Sequence, residues 1–418
     1  MQRFLRTPTF AGLVLLGIVA VLLSNLLPAS GVVAQDQPSA HVARPAPAMS
    51  PFVDVHAHPD PSDPERSVRA ALEAMKLENA AKIVFMPPPF TADDPGRFDA
   101  EIILRAAQGH ADALAVLGGG GSLNAMIQQS VRSGDVGPEV RRKFKDRAEE
   151  LLRLGAVGFG ELTAEHFQGA TPYQSAPPDH PLFLLLADIA AVHGVPIDLH
   201  MEAVPQPMPL PAPLKSPPNP PQLQANIAAF ERLLEHNPHA RIIWAHAGWD
   251  NTGYRTPGLC RRLLQAHPNL YMDVKIDPLK PGKNSPLSSG ASGAIKSEWL
   301  KLFQDFPDRF VLGSDQHYPE PLPGPQRWEA IVLLLNQLPA DLRQKIGIDN
   351  PNRLYPTSSV RADKQEARSC MLLGFVGRGG SGIGGAHTSD WLGGGGGGFA
   401  RTGHPDALQQ TMMDTVQR

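Results

Sequence analysis

The sequence predicts an α/β protein, a (β/α)8 TIM barrel forming a single catalytic domain. Three observations carry this prediction. Eight short apolar runs rich in β-branched residues recur between Phe52 and Tyr355, each followed by a loop and a stretch of helical period. The runs are nearly continuous in apolar residues, as parallel strands are when helices cover their outer face. The segment spans roughly 300 residues, near the 250 typical of such a barrel. The runner-up, an open doubly wound sheet, is disfavoured because no Gly-x-Gly-x-x-Gly turn opens a helix after the first strand.

Taken in order, the strands are expected over residues 52–56, 82–86, 113–117, 156–160, 196–200, 241–245, 269–274 and 309–313. Helices are expected over 67–79, 99–108, 137–154, 182–193, 221–236, 257–266, 297–306 and 328–338. Gly194 suits a C′ position, and Pro257 suits the first turn of a helix, where its missing N–H costs nothing. The segment from Pro205 to Pro221 carries nine prolines in 17 positions. It follows the fifth strand, so it is expected on the catalytic face, as a stiff wall or lid or as an inert insertion. Gly118–Gly121, after the third strand, permits close approach of a ligand to the backbone.

The barrel is expected over residues 51–356, with other material on either side. Arg3 and Arg6 precede an apolar run from Phe10 to Leu23, and Val32, Val33 and Ala34 offer a cleavage site. That is the layout of a signal peptide over 1–34, and it implies a periplasmic or secreted protein. An uncleaved membrane anchor is the alternative. Residues 35–50 read as a flexible linker. Residues 357–418 are Gly-rich, with six consecutive glycines from Gly393 to Gly398, and predict a tail without fixed structure.

Composition narrows the function. A net charge of −3 and a pI near 6.6 argue against a broad nucleic-acid surface and leave a small molecule as the expected partner. Two cysteines, Cys260 and Cys370, exclude a disulfide scaffold and a Cys-rich zinc site. Nothing in the helix faces argues for an oligomeric state. The polar residues that terminate the strand runs are His56 and His58, Glu161, His200, His246 and Asp315. In such a barrel, strand C-termini form the active face. His56 and His58 lie two apart on one strand, so both can face the axis and chelate a metal, with His200 and Asp315 completing the set. Zinc is the expected ion and manganese the alternative. In the sixth loop, Trp249 and Arg255 could contact substrate, Arg255 by pairing with a carboxylate; an ordinary loop is the competing reading. His317 and Tyr318 could line the mouth.

Five motifs in order carry a family resemblance. They are Val53-Asp54-Val55-His56-Ala57-His58, Ile197-Asp198-Leu199-His200, Ile243-Trp244-Ala245-His246-Ala247-Gly248, Leu312-Gly313-Ser314-Asp315 and Asp349-Asn350-Pro351-Asn352-Arg353-Leu354-Tyr355. Over residues 52–355 the chain resembles the amidohydrolase superfamily, in the amidohydrolase-related branch that also holds decarboxylases and lactonases. The resemblance implies metal ligation by His56, His58, His200 and Asp315. It implies a proton-handling role for Asp315, and either a second-metal or a substrate-polarising role for His246. Many binuclear members carry a carboxylated lysine on strand four; here Glu161 stands instead, as a bridging carboxylate or a hydrogen-bonded one, so one or two metal ions are expected. The implied activity is hydrolysis of an amide, lactone or ester. Non-oxidative decarboxylation and metal-retaining binding without catalysis are the rivals. N-terminal sequencing of protein from the periplasm or medium is expected to read from Gln35; a Met1 start in the membrane fraction would replace the leader by an anchor.

Overall fold

The computed structural model describes residues 50–94, 96–169, 172–275, 287–289, 293–319 and 327–355. The expected leader, tail and all but the last residue of the linker lie outside them. The strands are β1 (Phe52–Pro59), β2 (Ala80–Phe85), β3 (Leu114–Val116), β4 (Phe159–His166), β5 (Pro196–Met201), β6 (Arg241–Ala247), β7 (Leu270–Val274) and β8 (Phe310–Leu312). Each overlaps an expected run, the fourth only at Phe159 and Gly160 because it starts later and runs on to His166, and every pairing between them is parallel. Their order is β3-β2-β1-β8-β7-β6-β5-β4. Gly118–Gly119 continues β3 and pairs with β4, Gly118 against Phe159 and Gly119 against Gly160. The third strand thus bonds β2 with its first half and β4 with its second, so the sheet returns on itself as a barrel.

Alternation along the strands sorts the core. Val53, Val55, Val84, Ala115, Ile243, Tyr271 and Val311 form one apolar cluster with Leu354 and Tyr355, filling the lower barrel. Neighbouring residues such as Phe52, Phe159, Ile197, Leu199, Trp244 and Phe310 join the larger cluster beneath the helices.

The helices are α1 (Pro64–Glu78), α2 (Ala100–Ala106), α3 (Leu123–Ser133), α4 (Pro138–Leu154), α5 (Pro181–His193), α6 (Ile227–His236), α7 (Pro257–Ala266), α8 (Ser297–Asp305) and α9 (Arg327–Gln337), followed by short helical turns over residues 340–354. Local chemistry sets their ends. Asp63 accepts from Arg66 N at 2.9 Å and Thr256 from Leu259 N at 3.2 Å, each just before a first-turn proline. Gly194 takes its left-handed C-cap conformation at φ 64°.

Three expectations need correction. The helix expected over 221–236 begins only at Ile227, because Gln222–Leu223 pairs with Met208–Pro209 as a small antiparallel hairpin. That hairpin orders the Pro-rich segment, which packs through Met208, Leu210 and Leu214 on Phe167, Val204 and Leu223. The segment backs the wall carrying Phe167 and is not itself a lining of the cleft described below. Gly120 and Gly121 are crowded by the chain itself: a Cβ there would strike the carbonyls of Pro87 and Phe98, leaving no room for a ligand. Helix α3, unforeseen, follows Ser122, whose hydroxyl donates to Asp99 and accepts from Arg147 Nε at 2.9 Å instead of capping the helix.

One carboxylate ties the first strand to the eighth. Buried Asp54 accepts from Ser314 N at 2.9 Å, Ser314 Oγ at 2.6 Å, Trp328 Nε1 at 2.5 Å and His56 N at 3.2 Å. Asp54→Ala removes that acceptor and strands buried donors. It is expected to destabilise the fold by about 3 kcal/mol or more, read as a lower midpoint of chemical unfolding; an unchanged midpoint would show that the seam holds without it.

Candidate active site

A polar layer lies above the apolar filling of the barrel. In β1 the pairing register shifts between Asp54 and Ala57. Val53 and Val55 therefore serve the core, His58 lines the cleft, and His56 is wholly buried beside it. Asp198 on β5 and Asp273 on β7 are wholly buried beside His56. Two glycines make room for them. A Cβ on Gly160 would lie 2.8 Å from Asp198 Cβ, and one on Gly313 would lie 2.8 Å from Asp273 Cγ.

These neighbours orient the histidines. His56 Nδ1 lies 3.2 Å from Asp273 Oδ2 and 3.4 Å from Asp198 Oδ1, and His58 Nδ1 lies 3.0 Å from the Met86 carbonyl. Each Nδ1 is thereby assigned the proton, and the Nε2 atoms face one another at 3.2 Å. Two imidazole lone pairs at that separation call for a cation between them. Nitrogens bound to one tetrahedral zinc at about 2.0–2.1 Å stand roughly 3.4 Å apart, so the donor set fits a metal ion. Without metal, a proton fills the gap. Burial alone lowers the His56 pKa, but the charges of Asp198 and Glu161 more than offset it and raise the pKa well above its usual value.

Glu161 sits between two pairs of histidines. Its Oε1 is 2.7 Å from His200 Nδ1 and 3.5 Å from His246 Nε2; its Oε2 is 3.5 Å from His58 Nε2 and 3.8 Å from His56 Nε2. Burial pushes its pKa up, yet the His56 charge and hydrogen bonds from His200 and His246 hold it well below the usual carboxylate range. Asp315 Oδ1 lies 3.2 Å from His58 Nε2, while Oδ2 contacts the Lys275 ammonium. Two site residues are held in left-handed backbone conformations, His246 at φ 67° and Asp315 at φ 55°. Such conformations persist in non-Gly residues only where surroundings impose them. Here His246 N donates to Asp273 Oδ1 at 2.5 Å, and Asp315 N donates to the His56 carbonyl at 2.8 Å.

Among the described residues, three groups hold ligand atoms within 4.8 Å of one another: His56–Glu161–His246, His56–His58–Asp315 and His56–Asp198–Asp273. His200 belongs to none of them; its ring lies beside His246 and hydrogen-bonds Glu161. The cleft above measures about 270 Å³ and is lined by His58, Glu161, His200, His246 and Asp315, with Phe167, Trp249 and His317 on its walls.

Trp249 and His317 therefore stand where substrate would pass. Tyr318 does not: it packs between Phe85 and Trp328. Arg255 requires the larger correction. It is 1% exposed; its guanidinium stacks on Trp244 at 4.6 Å and donates to the carbonyls of Ala245, His246 and Met201. It anchors the loop after β6 and does not reach the cleft, so it offers no partner to a substrate carboxylate. The residues not foreseen as site members are Asp198, Asp273, Lys275 and His166. The first three had a visible signal: Asp198 precedes His200 by two, and Asp273 and Lys275 are two apart, the spacing of one strand face.

Titration of chelator-stripped protein with zinc is expected to show saturable binding, weakened by Asp273→Asn about 10–100-fold through misorientation of His56. His58→Ala should weaken it at least as much. Affinity should rise from pH 6 to pH 8, because the proton on His56 competes with the metal and is lost as pH increases. Equal binding by wild type and both variants would remove the metal centre.

The family model described as Amidohydrolase matches residues 53–357. Solved structures align over most of the chain at low identity. The Agrobacterium tumefaciens protein ATU3138, in an apo structure, is 14% identical, covering 75% of this chain and 98% of its own, with a TM-score of 0.42. The 5-carboxyvanillate decarboxylase LigW of Sphingomonas paucimobilis is 10% identical, covering 73% and 99%, with a TM-score of 0.39. A Burkholderia multivorans amidohydrolase with bound zinc is 13% identical, covering 74% and 100%, with a TM-score of 0.36. None of the curated proteins compared matches the chain. The family match runs from the second residue of the first barrel strand to just past the closing segment: the chain belongs to the amidohydrolase family.

Proposed function

We propose that this chain is an exported, metal-dependent hydrolase acting on an amide, lactone or ester bond of a small molecule. The apolar leader supports export, and the converging His and carboxylate donors support metal dependence. The observation that carries the reaction type is Asp315. Its carboxylate is at the cleft wall, 3.2 Å from His58 and 16% exposed, where a water molecule entering from the mouth would meet it.

A divalent cation such as zinc, held among His56, His58 and Asp315, would supply Lewis-acid chemistry, acidifying water and polarising a carbonyl. Glu161 would support that binding, and His56, Glu161 and His246 are the residues that would hold a second ion. The protein's own groups do the rest. Asp315 accepts the proton of the attacking water and returns it to the leaving nitrogen or oxygen. His246 Nε2 faces the cleft and stabilises charge on the carbonyl oxygen. Asp273, bonded to the His246 backbone N–H, fixes the backbone from which that ring projects. Phe167 and Trp249 narrow the mouth and restrict water around the reacting bond.

A second reading, decarboxylation, is favoured by Lys275, a cation in the same cleft that suits a substrate carboxylate. A panel of esters, lactones, amides and carboxylic acids, assayed with the zinc-loaded protein, separates the two. Hydrolysis is expected, with Asp315→Asn lowering kcat/KM by about 10²-fold or more. Release of CO2 without water addition would shift the assignment to the second reading. Tight binding without turnover across the panel would sink both.

A further inference from the structure

Arg255 leaves the cleft without the carboxylate partner expected of it, and the wall opposite supplies another cation. We propose that Lys275, seated on Trp249, is an anion subsite, and that the substrate is a small molecule with a carboxylate next to its reacting group. This rests on the metal-dependent reading above and names its substrate class.

Lys275 directly follows β7, two residues beyond Asp273, and so continues the inward face of that strand. Its backbone N–H donates to the Ala247 carbonyl at 2.9 Å, which fixes the stem, and Nζ stands 4.6 Å from the Trp249 ring centroid. Its side chain is 11% exposed. A cation so buried requires negative charge close by. Asp315 Oδ2 supplies one contact and the Trp249 face a second; an ammonium has three N–H donors, so one remains for the cleft. Among the described lining residues, no other acid serves it. Glu161 is engaged by His200, and Glu202 accepts from Asn251 Nδ2 at 2.6 Å. It is also the one lysine or arginine among the described residues lining this cleft.

Charge balance gives the cation its role. The other oxygen of Asp315 is directed at His58, within the group His56–His58–Asp315. A metal ion held by that group draws on the same carboxylate that neutralises Lys275. The ammonium is then left short of negative charge, and a substrate carboxylate restores it. The two contacts use the two oxygens of one side chain, so the bound anion lies beside the reacting centre. A lysine presents a point charge without the fixed fork of arginine, so it tolerates several carboxylate orientations.

The test is calorimetric titration of the full chain, zinc-loaded and zinc-free, with benzoate and with benzyl alcohol as its uncharged counterpart. Saturable benzoate binding is expected, with benzyl alcohol far weaker. Lys275→Met should weaken benzoate about tenfold or more, with benzyl alcohol unmoved and zinc content retained, and Lys275→Arg should restore most of the loss. Benzoate binding equally well to Lys275→Met, or no preference for benzoate in the wild type, would overturn the subsite. If Lys275 only positions Asp315, the variant will change zinc affinity while the benzoate preference stays, and this also overturns it. Should Lys275→Met fail to fold, Trp249→Leu removes the aromatic seat and is expected to weaken benzoate selectively; benzoate and benzyl alcohol weakened alike would count against the subsite. Failure of the metal-dependent reading shows separately, as absence of zinc uptake or turnover in the wild type.

Discussion

The carboxylate of Asp273 holds two histidines at once, and the geometry of the mouth depends on it. One oxygen accepts from the His246 backbone and the other faces His56 Nδ1. Burial pushes the Asp273 pKa up, but the hydrogen bonds of His246 and His56 more than offset that and keep the group ionised. Its position is available because the neighbouring strand offers Gly313 and no side chain. One glycine just after β8, one aspartate on β7 and one histidine on each of β1 and β6 thus form a single packing unit. Asp54 works on the outer side of the same region, joining β1 to the turn after β8, from which Asp315 projects. Both devices act across strands, so the site exists only when the barrel has closed.

Much of this could be read from residue order. All eight strands are visible because each is a short apolar run, and the polar residues that end those runs are the ones that meet at the mouth. The helix patterns were legible where prolines and glycines mark the ends, as at Pro257 and Gly194. Legibility failed where a residue's role is decided by a distant partner. Arg255 is a solvent-facing cation by its local sequence, yet Trp244 and three carbonyls bury it. Lys275 shows in sequence only its two-residue spacing from Asp273; its role is set when β7 is placed next to β8 and Asp315. The four-glycine run suggests a ligand cradle, but the chain's own carbonyls occupy that space. The Pro-rich segment misleads for a similar reason: proline density predicts stiffness, and only the hairpin shows what it stiffens.

The layering has an energetic consequence. The apolar clusters beneath the helices and within the lower barrel provide the folding drive, while the layer above them runs against it. Asp198 is wholly buried against His56, and burial pushes its pKa up to about 6 despite that contact. His246 and Asp315 hold backbone conformations that cost on the order of 1–3 kcal/mol each. These unfavourable features are gathered at the strand C-termini, and the opposite end of the barrel is packed with Val, Leu and Tyr side chains. Stability and chemistry are therefore assigned to different ends of the same eight strands.

That polarity also governs how the molecule can be attached to anything else. The backbone at Pro51, just before β1, lies 3.6 Å from where a Cβ of Gly347 would stand, and the segment from Gly347 leads directly to the Leu354 and Tyr355 plug. Both ends of the barrel domain therefore emerge at its base, away from the cleft. A tether fused at either end, whether to a bead, a bilayer or a second protein, presents the mouth outward to the solution.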